Sequence, residues 1–151
     1  MAQEDCFHLG AKALIHNESG QLLLLQLNPN KSRNTREARW DIPGGRIQKG
    51  EHLENTLKRE VLEETGIATL LDVRPFMMVL TNIRIAAPTG ADVGLIFATY
   101  LCTIPKNSNI RLSDEHTQFQ WANLNQTLEL LSHYPKELLE KLSTLQERIQ
   151  C

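Results

Sequence analysis

Gly45 to Ile67 reads GRIQKGEHLENTLKREVLEETGI. From His52 to Thr65 the stretch contains no Pro or Gly and is rich in Leu, Glu and Lys, which predicts a helix. Gly66 suits the left-handed position just past a helix end. Leu53, Leu57 and Val61 recur every four residues and form one apolar stripe. At about 100° per residue, Glu60 and Glu64 project onto that same side and Glu63 onto its edge. The face that should meet the core therefore turns acidic in its last turns.

Burying carboxylates costs several kcal/mol each, on the order of a salt-bridge desolvation penalty, unless a cation meets them. Arg59 reaches Glu63 at i,i+4, but it is one cation against three acids. A divalent ion resolves the imbalance, and an all-oxygen cluster with room for water suits Mg²⁺ or Mn²⁺ better than Zn²⁺. The bland alternative is a solvated Glu-rich face laced by pairs such as Glu54 with Lys58.

The spacing of the other residues weighs against the bland alternative. Gly45, five residues, Glu51, seven residues, then Arg59-Glu60-Val61-Leu62-Glu63-Glu64-Thr65-Gly66-Ile67 resembles the complete Nudix box, Gly-x5-Glu-x7-Arg-Glu-U-x-Glu-Glu-x-Gly-U, where U is a bulky aliphatic. Nine constrained positions match in one fixed register of 23 residues, so the motif is far more specific than a lone Gly-rich tripeptide. The resemblance implies an α/β fold, a Nudix-type α/β/α sandwich with a mixed central β-sheet, over a single domain spanning residues 1–151.

Composition sets wider bounds. At 151 residues, 41% hydrophobic and 23% charged, the chain is sized and composed like an ordinary globular domain that needs no staples. A net charge of −2 gives no global attraction to nucleic acid or to anionic membrane, so an anionic ligand must be held locally. Cys6, Cys102 and Cys151 are an odd, scattered set with no CxxC, which argues for a reducing compartment and against a disulfide framework or zinc site. The acidic opening MAQEDCFHLG lacks the basic and apolar regions of a signal peptide, and no apolar run is long enough to span a bilayer, so a cytoplasmic location is expected.

Along the chain, His8 to Ile15 and Gln21 to Leu27 are apolar runs joined by Asn17-Glu18-Ser19-Gly20 and read as a hairpin. Asn28 to Arg39 is a basic loop carrying Lys31, Arg33, Arg36 and Arg39, with Arg39 the preferred anchor for substrate phosphates. Trp40 to Gly45 is a short strand running into two glycines, which permit close backbone approach and an exposed carbonyl. His52 stands where a Ser or Thr would cap the helix better. Leu70 to Leu80 and Asp92 to Ile104 read as strands, and the loop Thr81 to Ala91 between them, with Arg84, is placed to select substrate. Phe76, Met78, Phe97 and Tyr100 either wall a base pocket or fill the core. Ser113 to His116 forms a loop before a strand Phe119 to Ala122. Asn123 caps a short helix with Leu124, Leu128 and Leu131 on one face, and Pro135 opens another with Leu138, Leu142, Leu145 and Ile149. The five histidines show no paired metal spacing and read as structural or surface residues.

The resemblance carries roles to matching positions. Nudix enzymes hydrolyse nucleoside diphosphates linked to another group X with the help of divalent ions, and here it implies Glu60 and Glu64 gripping one ion with the main-chain oxygen of Gly44. Glu63 either bridges a second ion or accepts the proton of the attacking water. Glu115 matches, by position before Trp121, a family glutamate that completes the metal and water shell, and it rivals Glu63 as base; Asp114 and His116 offer similar chemistry. Arg59 orients the glutamates and Glu51 secures the loop or the outer metal shell. The family's ADP-ribose and dinucleoside polyphosphate signatures are missing where Asn82 and Ile83 to Ile85 stand, which points to a nucleoside triphosphate, including oxidised ones. Alternatives are a nucleotide-sugar or ADP-ribose pyrophosphatase and a nucleotide-sensing module that no longer catalyses. The expected partner is a small nucleotide, without stable nucleic acid or membrane, on a monomer or homodimer.

Overall fold

The computed structural model describes residues 3–31, 37–88 and 90–145. Arg33, Arg36, Ile149 and Cys151, all singled out above, lie outside the described residues. Two sheets organise the chain. The first holds β1 (Phe7–Ile15), β4 (Gly44–Arg46), β5 (Leu71–Ala86) and β6 (Asp92–Thr103) in the order β4-β1-β6-β5. It is mixed, because β1 runs parallel to β6 and antiparallel to β4. The second holds β2 (Leu22–Leu27), β3 (Trp40–Asp41) and β7 (His116–Ala122) in the antiparallel order β3-β2-β7.

The expected hairpin of the first two strands is corrected. Asn17 to Gly20 does turn the chain, with Gly20 N–H donating to Asn17 O, but beyond a single bridge between His16 and Leu22 the strands part into different sheets. The cause is legible in their composition: Ala11 to Ile15 and Leu22 to Leu25 are buried without alternation, as interior strands covered on both faces are. The stretch Trp40 to Gly45 is likewise divided, with Trp40 and Asp41 in one sheet and Gly44 and Gly45 in the other. Ile42 and Pro43 bridge the sheets, and Ala13 N–H donates to Pro43 O at 2.7 Å.

A helix, α1 (Leu53–Thr65), covers one face of the mixed sheet. Leu57 and Val61 are fully buried against Ala11, Ala13, Ile15, Ala98 and Cys102, each stabilising the fold by roughly 1.5–3 kcal/mol. His52 is its N-cap and makes no side-chain capping bond, while Gly66 closes it at φ 74° with its N–H on Leu62 O. The other face of that sheet packs on a second cluster, where Leu14, Val79, Phe97 and Leu101 meet Leu131, Leu138, Leu142 and Leu145. These last come from α2 (Leu124–Leu130), α3 (Lys136–Leu142) and their flanks. Asn123 caps α2 in a reciprocal box with Gln126, as its position suggested. Phe76, Phe97, Tyr100 and Cys102 are buried, whereas Met78 points outward at 62% exposure.

The expected loop Thr81 to Ala91 shrinks. Strand β5 continues to Ala86, pairing Arg84 with Gly94 and Ile85 with Val93.

Candidate active site

The two glycines that start β4 set the geometry. Gly44 has φ 145°, and a Cβ on it would run into the β1 backbone at Ala11 and Lys12. A Cβ on Gly45 would lie 2.5 Å from Glu60 Oε1. The pair therefore acts as a cradle, on which α1 lays two carboxylates. Gly44 N–H donates to Glu64 Oε1 at 2.7 Å, and Glu60 rests directly over Gly45.

The acids of α1 differ sharply in exposure. The Glu64 side chain is 6% exposed, Glu60 17% and Glu63 57%. Burial pushes the Glu64 carboxyl up to about 8, with Glu60 and Asp41 adding to the rise and Lys12 and the Gly44 N–H opposing it. Arg59 spans the other acids. It donates from Nε and Nη2 to Glu51 at 2.7 and 3.0 Å, from Nη1 to Glu60 at 2.8 Å and Glu63 at 3.4 Å, and from Nη2 to Arg46 O at 3.2 Å. Glu51 also accepts the Gln48 N–H and the Thr56 hydroxyl, and these bonds, Arg59 first, hold its carboxyl at about 2. Beside Glu60 an open cleft of ≈ 520 Å³ runs between Phe7, Leu9, Arg46 and Gln48.

A second segment closes the site from the β7 side. Ser113 N–H donates to Glu64 O and Arg111 N–H to Thr65 O, which tie the segment before β7 to the end of α1. Glu64, Glu115 and His116 thereby bring one donor atom each within 4.8 Å of one another. His116 Nε2 stands 3.4 Å from Glu64 Oε2. The basic loop is anchored here too, since Asn28 N–H donates to Glu115 O at 2.8 Å and Lys31 pairs with Asp114 at 3.4 Å.

A divalent ion fits these donors. The cradle accepts Glu60 only because it lacks a Cβ, Glu64 is buried with only the charge of Lys12, itself paired with Asp41, and the ring of His116 beside it, and the donor set is rich in hard oxygens.

Two expectations change. Arg84 lies in β5 and not in a loop, 41% exposed and paired with Asp5 at 2.8 Å and with Asp92 at 2.8 Å. His116, read above both as one of five structural or surface histidines and as an alternative to Glu115, is buried and lies beside Glu64 and Glu115. Arg39 is half-exposed and pairs with Glu37 at 3.0 Å. Lys12 is the lone charge within the apolar run 8–15, and a lysine in such a strand signals a buried counter-charge. Its Nζ donates to Ile42 O at 3.1 Å and pairs with Asp41 at 3.3 Å, and Tyr134 donates to the same carboxylate.

The NUDIX domain family model matches residues 7–142, nearly the whole chain. The chain belongs to the NUDIX domain family. As a Nudix hydrolase it acts on phosphoanhydride bonds, in a family that generally depends on divalent metal. Among its relatives, Nucleoside triphosphatase NudI of Salmonella agona (strain SL483) is 30% identical over 113 residues, 72% of this chain and 77% of the relative. A Bacillus subtilis (strain 168) protein named as an 8-oxo-dGTP diphosphatase is 38% identical over 65 residues, covering 43% of this chain and 39% of its own. The crystal structure of the MutT protein from Methanosarcina mazei Go1 superposes with a TM-score of 0.72 at 26% identity, over 99% of this chain and 96% of that one. No helix among the described residues is long and apolar enough to cross a membrane.

Proposed function

We propose that this Nudix hydrolase cleaves a nucleoside triphosphate, oxidised forms included, to the nucleoside monophosphate and pyrophosphate with Mg²⁺ or Mn²⁺ bound at Glu60, Glu64 and the Gly44 carbonyl. The observation that carries the reading is the buried Glu64 carboxylate on the Gly44 N–H beside Glu60 on Gly45, two acids converging on one glycine cradle. The triphosphate substrate follows the relatives in Salmonella and Bacillus, whose names describe that chemistry.

A bound divalent ion supplies charge neutralisation along the phosphates and a more acidic water. The chain's own groups do the rest. Glu60 and Glu64 hold the ion's place rigidly, since helix and cradle fix both carboxylates. Arg59 keeps Glu60 turned toward the cradle and Glu63 within reach. Glu63 and Glu115, both solvent-accessible, are the candidates to take the water's proton. Arg39 is the candidate phosphate anchor. Residues 1–151 act as one domain, and the setting is the cytoplasm, where Cys6 and the buried Cys102 stay as free thiols.

The test is phosphate and pyrophosphate release across a panel of canonical and oxidised nucleoside triphosphates, ADP-ribose and nucleotide sugars with Mg²⁺ or Mn²⁺. Pyrophosphate from a triphosphate supports the reading. Preferential cleavage of ADP-ribose or a nucleotide sugar would replace the substrate, and tight binding without turnover would make the domain a sensor. In ¹⁸O water the label should appear on the phosphate attacked, with no enzyme-bound intermediate.

A further inference from the structure

Residue 116 opens β7 as a histidine, and its surroundings are unusual. The ring is 3% exposed at the side chain, yet Nδ1 finds no hydrogen-bond partner among the described residues. Buried imidazole nitrogens are nearly always paired, so the ring is held not through Nδ1 but by its backbone and by what its other nitrogen faces. The other nitrogen, Nε2, points at Glu64 Oε2 across 3.4 Å. That is longer than an ordinary N–H···O bond of about 2.7–3.2 Å. It is close to the roughly 3 Å that separates two neighbouring donors on one ion when each bond is about 2.0–2.2 Å. Glu115 brings a third donor into the same 4.8 Å circle.

The placement is enforced from both sides. His116 N–H donates to Ser113 O at 3.3 Å, Ser113 N–H to Glu64 O at 3.3 Å, and His116 pairs with Leu27 across the sheet. Glu115 lies in the turn just before β7 and is exposed, while His116 at the strand's start is buried. One turn of chain thus brings a nitrogen and an oxygen donor to the buried acid of α1.

We propose that His116 is a direct nitrogen ligand of the divalent ion held by Glu64, turning an all-oxygen site into a mixed one that prefers Mn²⁺ to Mg²⁺. The preference follows from ligand chemistry: imidazole suits first-row transition ions, whereas Mg²⁺ keeps to oxygen and to its own water. The inference rests on the metal-binding part of the function proposed above.

The experiment loads the whole chain with Mn²⁺ alone, without nucleotide, and reads electron spin-echo modulation from nitrogen. Wild-type protein should show coordinated nitrogen whose frequency changes when the protein is made with ¹⁵N-histidine. His116→Gln should lose the signal and weaken Mn²⁺ binding by about 10-fold, with a smaller factor for Mg²⁺ in competition. His116→Asn is the second variant should the first fold poorly, and the labelled wild-type spectrum decides the presence of the ligand by itself. Mn²⁺ that binds with no histidine nitrogen overturns the assignment and leaves the hydrolase reading standing. Failure of Mn²⁺ and Mg²⁺ to bind at all overturns both.

Discussion

Glu51 and Glu64 both belong to the Gly45–Ile67 motif, yet the fold treats them in opposite ways. Arg59 grips Glu51 with two nitrogens, assisted by the Gln48 N–H and the Thr56 hydroxyl, and its carboxyl is held at about 2. Glu64 receives one backbone N–H and burial, and its carboxyl rises to about 8. A carboxylate whose cation is built into the chain is a fastener. A carboxylate buried with so little positive charge beside it is suited to chemistry, and this distinguishes the chemical acid from the architectural one better than exposure does.

The largest expected break of this contrast is Glu64→Gln. The amide keeps the shape and still accepts the Gly44 N–H, so the melting temperature without metal should hold or rise, because a poorly compensated buried acid is gone. Metal-dependent turnover should fall by on the order of 10³-fold or more, measured as pyrophosphate release at saturating Mg²⁺. Wild-type activity in that variant would remove Glu64 from the ligand set.

Gly45→Ala tests the cradle without touching an acid. Its Cβ would press on the Glu60 carboxylate, which must swing away, while the surrounding β1–β4 pairing stays intact. A loss of about 10- to 100-fold in activity with an unchanged circular dichroism spectrum is expected. Equal activity would mean that Glu60 need not lie where the glycine puts it.

Arg59→Lys comes next. A lysine keeps the charge but loses the fork that reaches Glu51, Glu60 and Arg46 O together. Activity should drop by about 10-fold through misplacement of Glu60, with kcat affected more than KM. A change confined to KM would instead make Arg59 a substrate contact.

These contrasts also show what a linear reading can reach. Glu51, Arg59, Glu60 and Glu64 are one helix and its approach loop, so 3.6-residue periodicity and a fixed register place them before any coordinates exist. His116 lies far along the chain from Glu64, and the hydrogen bonds from Ser113 and Arg111 to the end of α1, with the pairing of β7 on β2, bring it home. Arg84 has one partner near in sequence, Asp92, and one remote, Asp5, and only the fold brings the second to it. The parting of β1 from β2 was visible in their unbroken apolar runs, but a good turn at Asn17 to Gly20 argued locally for a hairpin. Local chemistry names the turn, and burial on both faces decides which sheet each strand joins.

The smallest effect belongs to Glu51→Gln, followed by stability against pH. Glu51 has a lowered carboxyl pKa in the folded chain, about 2 against an ordinary 4.5, so the folded state favours its ionised form. The stabilisation is present in full above pH 4.5 and is lost as pH falls through about 2. Wild type and variant should therefore differ in melting temperature at pH 7, by a modest and salt-sensitive amount because the pair is partly exposed to solvent, and should converge near pH 2. A difference that persists undiminished at pH 2 would mean that the carboxylate charge is not what secures the loop. The Gln48 N–H and Thr56 hydroxyl would then do so by themselves, and the fastener would be a turn of backbone in which Arg59 has no share.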